Sequence, residues 1–204
     1  MVAEQRRGPG RPAYDSKQKL VAAACALLAE RGFEATSPQM IQQRSGIGHG
    51  SMYHHYRGKE DLALDAISHM RGHAVAFLEG QSSLGSSDDL DVEAVHAGIA
   101  AALDRLFARR EGQALIRLLA DSVAGAIKPL ATAIQDWCDD LRATIILALR
   151  NDQPGEDSEA ADAAARLLAP EFDAHADGLL TAALGRGLLG LPRIALLSES
   201  AGPR

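Results

Sequence analysis

Three histidines, four glycines and two tyrosines fall within residues 46–59, which read GIGHGSMYHHYRGK. Histidines can bind a metal and glycines can hold a phosphate, so both chemistries have to be weighed. A zinc site needs ligands about one helical turn apart plus a third ligand. His49 and His54 are five residues apart, and His55 follows directly. A phosphate loop needs a preceding strand and GxGxxG or P-loop spacing, which are missing. The segment therefore predicts neither site.

A second pair of histidines has better spacing for a metal. His69 and His73 form an i, i+4 pair on a predicted helix that begins at Lys59. Imidazoles at this spacing share one helix face, so a metal-sensing regulator is an alternative function. The plainer interpretation is a pair of solvent-facing or interdomain histidines. No cofactor is expected.

Charge is distributed unevenly along the 204 residues. The net charge is −6, but residues 1–59 carry nine Lys/Arg against four Asp/Glu, and the remainder carries 12 against 23. A basic N-terminal third on an acidic body is typical of a polyanion-binding domain joined to a domain that does not bind the polyanion.

Other classes of protein find little support in the composition. No run of about 18 apolar residues could span a bilayer, and the N-terminus lacks the apolar segment of a secretory signal. We therefore expect a cytoplasmic protein without a membrane partner. Cys25 and Cys138 match no CxxC or zinc spacing, which indicates two reduced thiols. No catalytic constellation occurs at motif spacing, so an enzyme is not expected.

Helical periodicity dominates the chain and predicts an all-α fold. Four helices are expected first, over residues 16–31, 38–46 and 48–58 and from Lys59 to the Gly/Ser-rich segment 79–89. Ser37 followed by Pro38 is a strong helix start, because the hydroxyl can cap free N–H groups. The later helices are predicted at 92–106, 115–123, 129–150, 159–169 and 171–189, the last two separated by Pro170.

The second and third helices, joined by a turn at Gly46, form a predicted helix-turn-helix. The spacing directs Ile41, Ile47, Met52 and Tyr56 toward the first helix. The opposite face of the third helix then carries donors, acceptors and one position without a side chain: His49, Gly50, Ser51, Tyr53, His54 and His55. Such groups suit base edges and phosphates in a major groove.

Residues 16–62 resemble the DNA-binding domain of the TetR (tetracycline-repressor-like) regulators. AERGFEATS, residues 29–37, resembles the end of helix one and the start of helix two, and SGIGHGSMYHHYRGKEDL, residues 45–62, resembles the turn, the recognition helix and the start of helix four. The resemblance implies phosphate contacts at Thr36, Ser37, Tyr53 and Lys59, and contacts with bases or groove at Gln39, His49, Gly50, Ser51 and His54. Gly48 and Gln42 depart from the family pattern, where a capping Ser or Thr and a small alanine are usual.

The resemblance also implies an organisation and partners. We expect a flexible basic arm at 1–15, a DNA-binding domain at 16–62 and a helical regulatory and dimerisation domain at 63–204. Family members usually repress transcription, bind double-stranded palindromic operators as homodimers and release them when a small-molecule effector binds. Arg6, Arg7 and Arg11 could reach the minor groove, or the arm could be merely solvated. A helical dimeric interaction protein without DNA binding is a further alternative.

The regulatory part yields two sets of candidate residues. A ligand pocket could be lined by His96, Phe107, Leu118, Asp121, Trp137, Leu141 and Ile145, although a packed core explains the same apolar stripe. By resemblance, the last two helices form a four-helix dimer interface through Leu167, Leu168, Leu179, Leu180, Leu184 and Leu188, with small residues Ala182, Ala183 and Gly187 allowing close approach.

Overall fold

The computed structural model of the chain describes residues 13–81, 92–151 and 159–189. These residues form helices and turns, without a strand among them, which confirms the all-α prediction. The helices are α1 (Ala13–Arg31), α2 (Pro38–Ser45), α3 (His49–His55), α4 (Lys59–Gln81), α5 (Val92–Phe107), α6 (Arg110–Leu119), α7 (Ser122–Ala126), α8 (Lys128–Asn151) and α9 (Glu159–Leu189). None of these helices is long and apolar enough to cross a membrane.

Helix α1 is the centre of the N-terminal part. It packs against α2, α3, α4 and α6, and its residues Leu20, Ala24, Leu27 and Leu28 are buried. Burial of one leucine side chain stabilises a fold by about 1.5–3 kcal/mol, so this stripe accounts for much of the local stability. The small helices α2 and α3 are therefore held on a rigid support.

Helix α4 joins the two halves of the molecule. It continues without a break through residue 62, where the sequence predicts a domain boundary, and packs against α1, α5, α6 and α8. Helix α8 packs in turn against α7 and α9, and α9 packs against α5 and α6. The second half is thus a helical bundle that is in direct contact with the first half.

Two predicted helix boundaries are wrong. The single helix predicted at 115–123 is split in two, because α6 ends at Leu119. Asp121 then caps the short helix α7 by accepting a hydrogen bond from the Ala124 N–H over 2.9 Å. Helix α9 runs continuously through Pro170, where two helices were expected. Proline removes one backbone hydrogen bond at a cost of about 3 kcal/mol, but its fixed φ is compatible with a helix. Packing of α9 against three other helices offsets that cost. Of the loop predicted at 151–158, Asn151 is the last residue of α8, and residues 152–158 lie outside the described residues.

Candidate nucleic-acid interface

The turn between α2 and α3 is built from local capping interactions. The Ser37 hydroxyl accepts a hydrogen bond from the Met40 N–H over 3.2 Å and so caps α2, as predicted. Gly46 ends α2 with φ 69°, a left-handed conformation that favours glycine. The Ser45 hydroxyl bridges the turn by accepting from the Ile47 N–H over 3.2 Å. Gly48 begins α3 without a side-chain cap.

One face of α3 attaches the helix to the rest of the domain. Met52 and Tyr56 are buried against a core that includes Ile41 and Phe33, and Ile47 is half-buried beside it. This confirms the predicted inward face. The Tyr56 hydroxyl donates to Oδ2 of Asp65 over 2.6 Å, which ties the end of α3 to α4.

The opposite face of α3 is open. His49, Gly50, Ser51, Tyr53 and His54 are exposed, and His55 is half-buried. The rings of His49 and Tyr53 lie against each other with centroids 4.5 Å apart. A Cβ atom added at Gly50 would meet nothing within 4 Å, so the missing side chain leaves an accessible patch of backbone. The structure thus brings these five predicted site residues together on one surface.

This exposed face carries no acidic residue. Helix α3 itself contains none. Two neighbouring carboxylates are paired with cations: Glu30 pairs with Arg44 over 2.6 Å and Asp65 pairs with Lys17 over 2.9 Å. A phosphate backbone approaching the exposed side of α3 would therefore meet hydrogen-bond donors of that helix and none of its own negative charge.

The residues predicted at the start of α2 have different environments. Gln39 is exposed, and Ser37 is half-buried because its hydroxyl caps the helix. Thr36 is only 2% exposed, and its hydroxyl donates to the Gly32 carbonyl oxygen over 2.7 Å. The Thr36 side chain therefore stabilises the α1–α2 turn from inside, and it does not face outward as its predicted phosphate contact requires.

Lys59 lies at the N-terminus of α4, next to the same turn. Its Nζ donates to the Phe33 carbonyl oxygen over 3.0 Å and lies 3.9 Å from the centroid of the Phe33 ring. Burial lowers the pKa of Lys59, and the nearby carboxylates of Asp121, Glu34 and Glu60 act in the opposite direction. The cation is held beside the proposed interface by contacts that the sequence did not reveal.

Residues 20–66 match the family model described as bacterial regulatory proteins, tetR family. The end of α1, helices α2 and α3 and the start of α4 are therefore similar to the N-terminal domain of that family. The match covers the helix-turn-helix and the first part of α4, in agreement with the resemblance seen in the sequence motifs.

Two relatives and one solved structure agree with this assignment. The chain is 37% identical over 78 residues to the uncharacterized HTH-type transcriptional regulator YxaF of Bacillus subtilis, a match that covers 38% of this chain and 40% of that protein. It is 34% identical over 59 residues to the HTH-type transcriptional repressor KstR2 of Mycolicibacterium smegmatis, covering 29% and 28% of the two chains. The matched segments thus span less than half of these relatives.

The regulatory protein TetR from Rhodobacter sphaeroides has the same fold over most of the chain. Its crystal structure superimposes with a TM-score of 0.64 at 22% identity, covering 89% of this chain and 93% of that one. The tetR-family helix-turn-helix is therefore followed by the helical C-terminal arrangement seen in that regulator.

The residues predicted to line a ligand pocket lie mostly in the packed core. Phe107, Leu118, Trp137, Leu141 and Ile145 are buried in the hydrophobic core. Asp121 lies at the start of α7, and half-buried His96 lies beside His175 of α9, with ring centroids 5.0 Å apart. The Trp137 Nε1 is buried without a hydrogen-bond partner among the described residues.

A cleft is present between α4, α5 and α8, close to the predicted pocket. Its empty volume, which includes open solvent at its mouth, is about 310 Å³, and it is lined by Leu78, Gln81, Gly98, Ile99, Ala102, Thr144, Ile145 and Ala148. Ile145 is the residue that it shares with the predicted lining. The sequence pattern missed the others because small residues such as Gly98 and Ala102 carry no signal of a cleft until the helices are packed.

Two further predictions concern a histidine pair on α4 and the basic N-terminal arm. The rings of His69 and His73 are exposed on α4 with centroids 4.4 Å apart, and no group of three or more metal-binding side chains occurs within residues 13–81, 92–151 and 159–189. Arg6, Arg7 and Arg11 of the basic arm lie outside the described residues.

Proposed function

We propose that the protein is a ligand-responsive DNA-binding regulator of transcription, acting as a cytoplasmic repressor. It would bind a palindromic operator as a homodimer and leave it when a small-molecule effector binds. The observation that carries this proposal is the exposed, acid-free face of α3 on a tetR-family helix-turn-helix. The name of the Mycolicibacterium smegmatis relative supports the assignment as a repressor.

The DNA contacts divide by chemistry. His49, Ser51 and His54 offer donors and acceptors to base edges, and Gly50 allows the helix backbone to approach the groove closely. Tyr53, Ser37 and Lys59 offer groups to phosphates, while Gln39 reaches the groove from α2. Thr36 would act indirectly, because its buried hydroxyl holds the turn that carries Ser37. The arm residues Arg6, Arg7 and Arg11 would add minor-groove contacts.

A homodimer is required for this mode of binding, because two recognition helices about 34 Å apart read two half-sites. We assign the dimer surface to the outward faces of α8 and α9, where Ala143, Leu147, Ala182 and Leu188 are exposed. Small and apolar residues on adjacent helices permit close packing with a symmetric copy. Leu180 and Ala183, expected in this interface, instead face the core of their own chain.

The effector site that fits the geometry is the α4–α5–α8 cleft. Its lining is mainly apolar, so a small, uncharged and largely apolar molecule matches it. Two polar groups could orient such a ligand. The side-chain amide oxygen Oε1 of Gln81 accepts a hydrogen bond from the Arg105 guanidinium over 2.9 Å, which leaves the side-chain NH₂ of Gln81 as a donor. The Thr144 hydroxyl donates to the Asp140 carbonyl oxygen over 2.8 Å, which leaves its lone pairs as acceptors.

A gel-shift titration with DNA flanking the coding region tests the function. The parent should bind one segment specifically, with affinity that falls steeply as salt rises, because phosphate contacts release counterions. His54→Glu would place a negative charge on the proposed interface and should abolish that binding. His73→Glu makes the same change at an exposed histidine of α4 and should bind like the parent. Absence of specific binding by the parent, or unimpaired binding by His54→Glu, would overturn the proposal.

A further inference from the structure

Two hydrogen bonds cross from the regulatory helices to the end of α1 and the turn that follows it. In the last turn of α6, Nε of Arg117 donates to the carbonyl oxygen of Ala29, in the last turn of α1, over 2.8 Å. Just after α6, Oδ2 of Asp121 accepts from the N–H of Glu34, in the α1–α2 turn, over 2.8 Å. Both bonds reach backbone atoms, so they fix the path of the chain on each side of Gly32 rather than one side chain.

The Arg117 contact satisfies a helix end. The last four carbonyl groups of a helix lack partners within the helix, and α1 ends at Arg31. The Gly32 N–H donates to the Leu28 carbonyl oxygen over 3.0 Å, and Arg117 donates to the carbonyl oxygen of Ala29. A guanidinium at a helix C-terminus is also favoured by the helix dipole. Arg117 is therefore an external cap of α1 supplied by α6.

The Asp121 carboxylate has two separate tasks. Its Oδ1 accepts from the Ala124 N–H over 2.9 Å and caps α7, while Oδ2 holds the Glu34 N–H. The turn is shaped to admit this carboxylate, because a Cβ at Gly32 would lie 3.0 Å from Oδ2, and Gly32 has φ 79°. One side chain thus joins the start of α7 to the α1–α2 turn.

The same turn leads directly to the proposed DNA surface. Phe33, within it, is held from the other side by Lys59 of α4. Thr36 donates back to Gly32 within the turn, and Ser37 then caps α2. The position of the turn therefore sets where α2 begins relative to α6 and α7.

We infer that Arg117 and Asp121 are positioning residues for DNA binding, which hold the α1–α2 turn in register with the regulatory helices. A displacement of α6 and α7 would be transmitted to α2 through these two bonds. Hydrogen bonds to charged groups are short and directional, so a movement of about 1 Å is enough to weaken them. The inference rests on the proposed DNA-binding function.

The variant Asp121→Ser separates the two tasks of the carboxylate. Serine is a good N-cap and should keep α7 intact, but its side chain is too short to reach Glu34 as well. Asp104→Ser is the matched control, because it removes the same charge and breaks an ion pair with Arg186 that joins α5 to α9. Hydrogen exchange of the Glu34 amide in the full chain and affinity for the flanking DNA are measured for both.

In Asp121→Ser, the Glu34 amide should exchange about 10-fold faster or more, since a hydrogen bond to a charged group is lost. Specific DNA affinity should fall about 5- to 150-fold, the range of coupling between sites. Asp104→Ser should change neither the exchange rate nor the affinity.

Unchanged exchange of the Glu34 amide in Asp121→Ser would show that Asp121 does not hold the turn, whatever the DNA affinity. Faster exchange with parental affinity would show an anchor that does not position α2, and would also overturn the inference. If the unaltered protein binds no flanking DNA, the proposed function itself is wrong.

Arg117 provides a second, independent variant. Arg117→Met keeps the length of the aliphatic stem and removes the donor, whereas Arg117→Lys keeps a cation near the Ala29 carbonyl. Loss of specific affinity in the methionine variant with recovery in the lysine variant is the expected result. Equal affinities for both, at the level of the parent, would show that this contact does not position the turn for DNA binding.

Discussion

The ammonium group of Lys59 lies 3.0 Å from the carbonyl oxygen of Phe33 and 3.9 Å from the centroid of its ring. The lysine at the start of α4 is thereby held against the end of the α1–α2 turn. A charge held in this way would lose little freedom on contacting a phosphate, so the contact with Phe33 favours the proposed role of Lys59.

Replacement of Lys59 by alanine should weaken binding to all DNA sequences. One lost phosphate contact should flatten the slope of log affinity against log salt by about 0.9. Lys128→Ala, at the exposed start of α8, removes the same charge far from α3 and serves as the control. The measurement is a salt titration of operator affinity. An unchanged slope for Lys59→Ala would contradict the proposed phosphate contact.

His49→Ala should alter base preference rather than overall affinity. The His49 ring is exposed on α3 beside Tyr53, where it can reach base edges. A well-made bidentate contact contributes about 1–3 kcal/mol of discrimination, and a single bond contributes less. Binding to a set of operator variants measures this preference, with exposed His69→Ala of α4 as the control. If His49→Ala ranks the variants as the parent does, the placement of α3 in the groove is wrong.

Dimerisation can be tested at Ala182, which is exposed in the last third of α9. Arginine is a good helix former, so Ala182→Arg should leave the monomer folded but keep a second copy from approaching. Light scattering should show a dimeric parent and a monomeric variant. Ala101→Arg, at an exposed alanine of α5, should remain dimeric. A monomeric parent would remove the basis of the dimer.

Leu180→Arg is not suited to that experiment. Leu180 is only 7% exposed within its own chain, so a charge there should destabilise the monomer.

The contact between Tyr56 and Asp65 predicts a pH dependence of stability. Burial raises the pKa of Asp65, but hydrogen bonds from Tyr56 and Lys17 outweigh it and lower this pKa below its usual value. A carboxyl group with a lowered pKa in the folded state stabilises the fold above its unfolded pKa, near 4, and this contribution is lost as pH falls.

Tyr56→Phe should therefore lower the free energy of unfolding by about 1 kcal/mol at pH 7, allowing for partial exposure of Asp65, and by less at pH 3. Urea denaturation at the two pH values measures the difference. Tyr53→Phe, at an exposed tyrosine, should have little effect at either pH. An equal loss at both pH values in Tyr56→Phe would show that the Asp65 charge does not contribute.

Trp137 provides a probe of the regulatory helices. It is the single tryptophan of the chain and its side chain is fully buried on α8. Its emission should be blue-shifted and poorly quenched by acrylamide. Trp137 lies on α8, two helical turns before the cleft residues Thr144 and Ile145. An effector that displaces α8 on entering the cleft should change this emission at the same concentrations that release DNA, because the two equilibria are linked. An effector that changes the emission and leaves operator affinity unaltered would break the proposed link.

Local signals in the sequence determined helices α2 and α3. Ser37, Pro38 and Gly46 act through backbone capping and φ preference, which depend on adjacent residues alone, so the limits of α2 could be predicted. The outward residues of α3 followed from helical periodicity for the same reason. The break before α7 was missed although its cap, Asp121, is also a local signal, because the apolar stripe of residues 115–123 continues across it. The continuity of α9 through Pro170 was missed because packing against other helices outweighs the local preference of proline.

Tertiary structure alone decided which partners the polar groups take. Thr36 is turned inward to Gly32, Lys59 is held by Phe33, and Asp121, an expected pocket residue, binds the backbone of Glu34. The last contact joins positions 87 residues apart, and nothing in the periodicity of either segment encodes it. This contact depends on how α6 packs against α1, and that packing is a sum of many small apolar contacts.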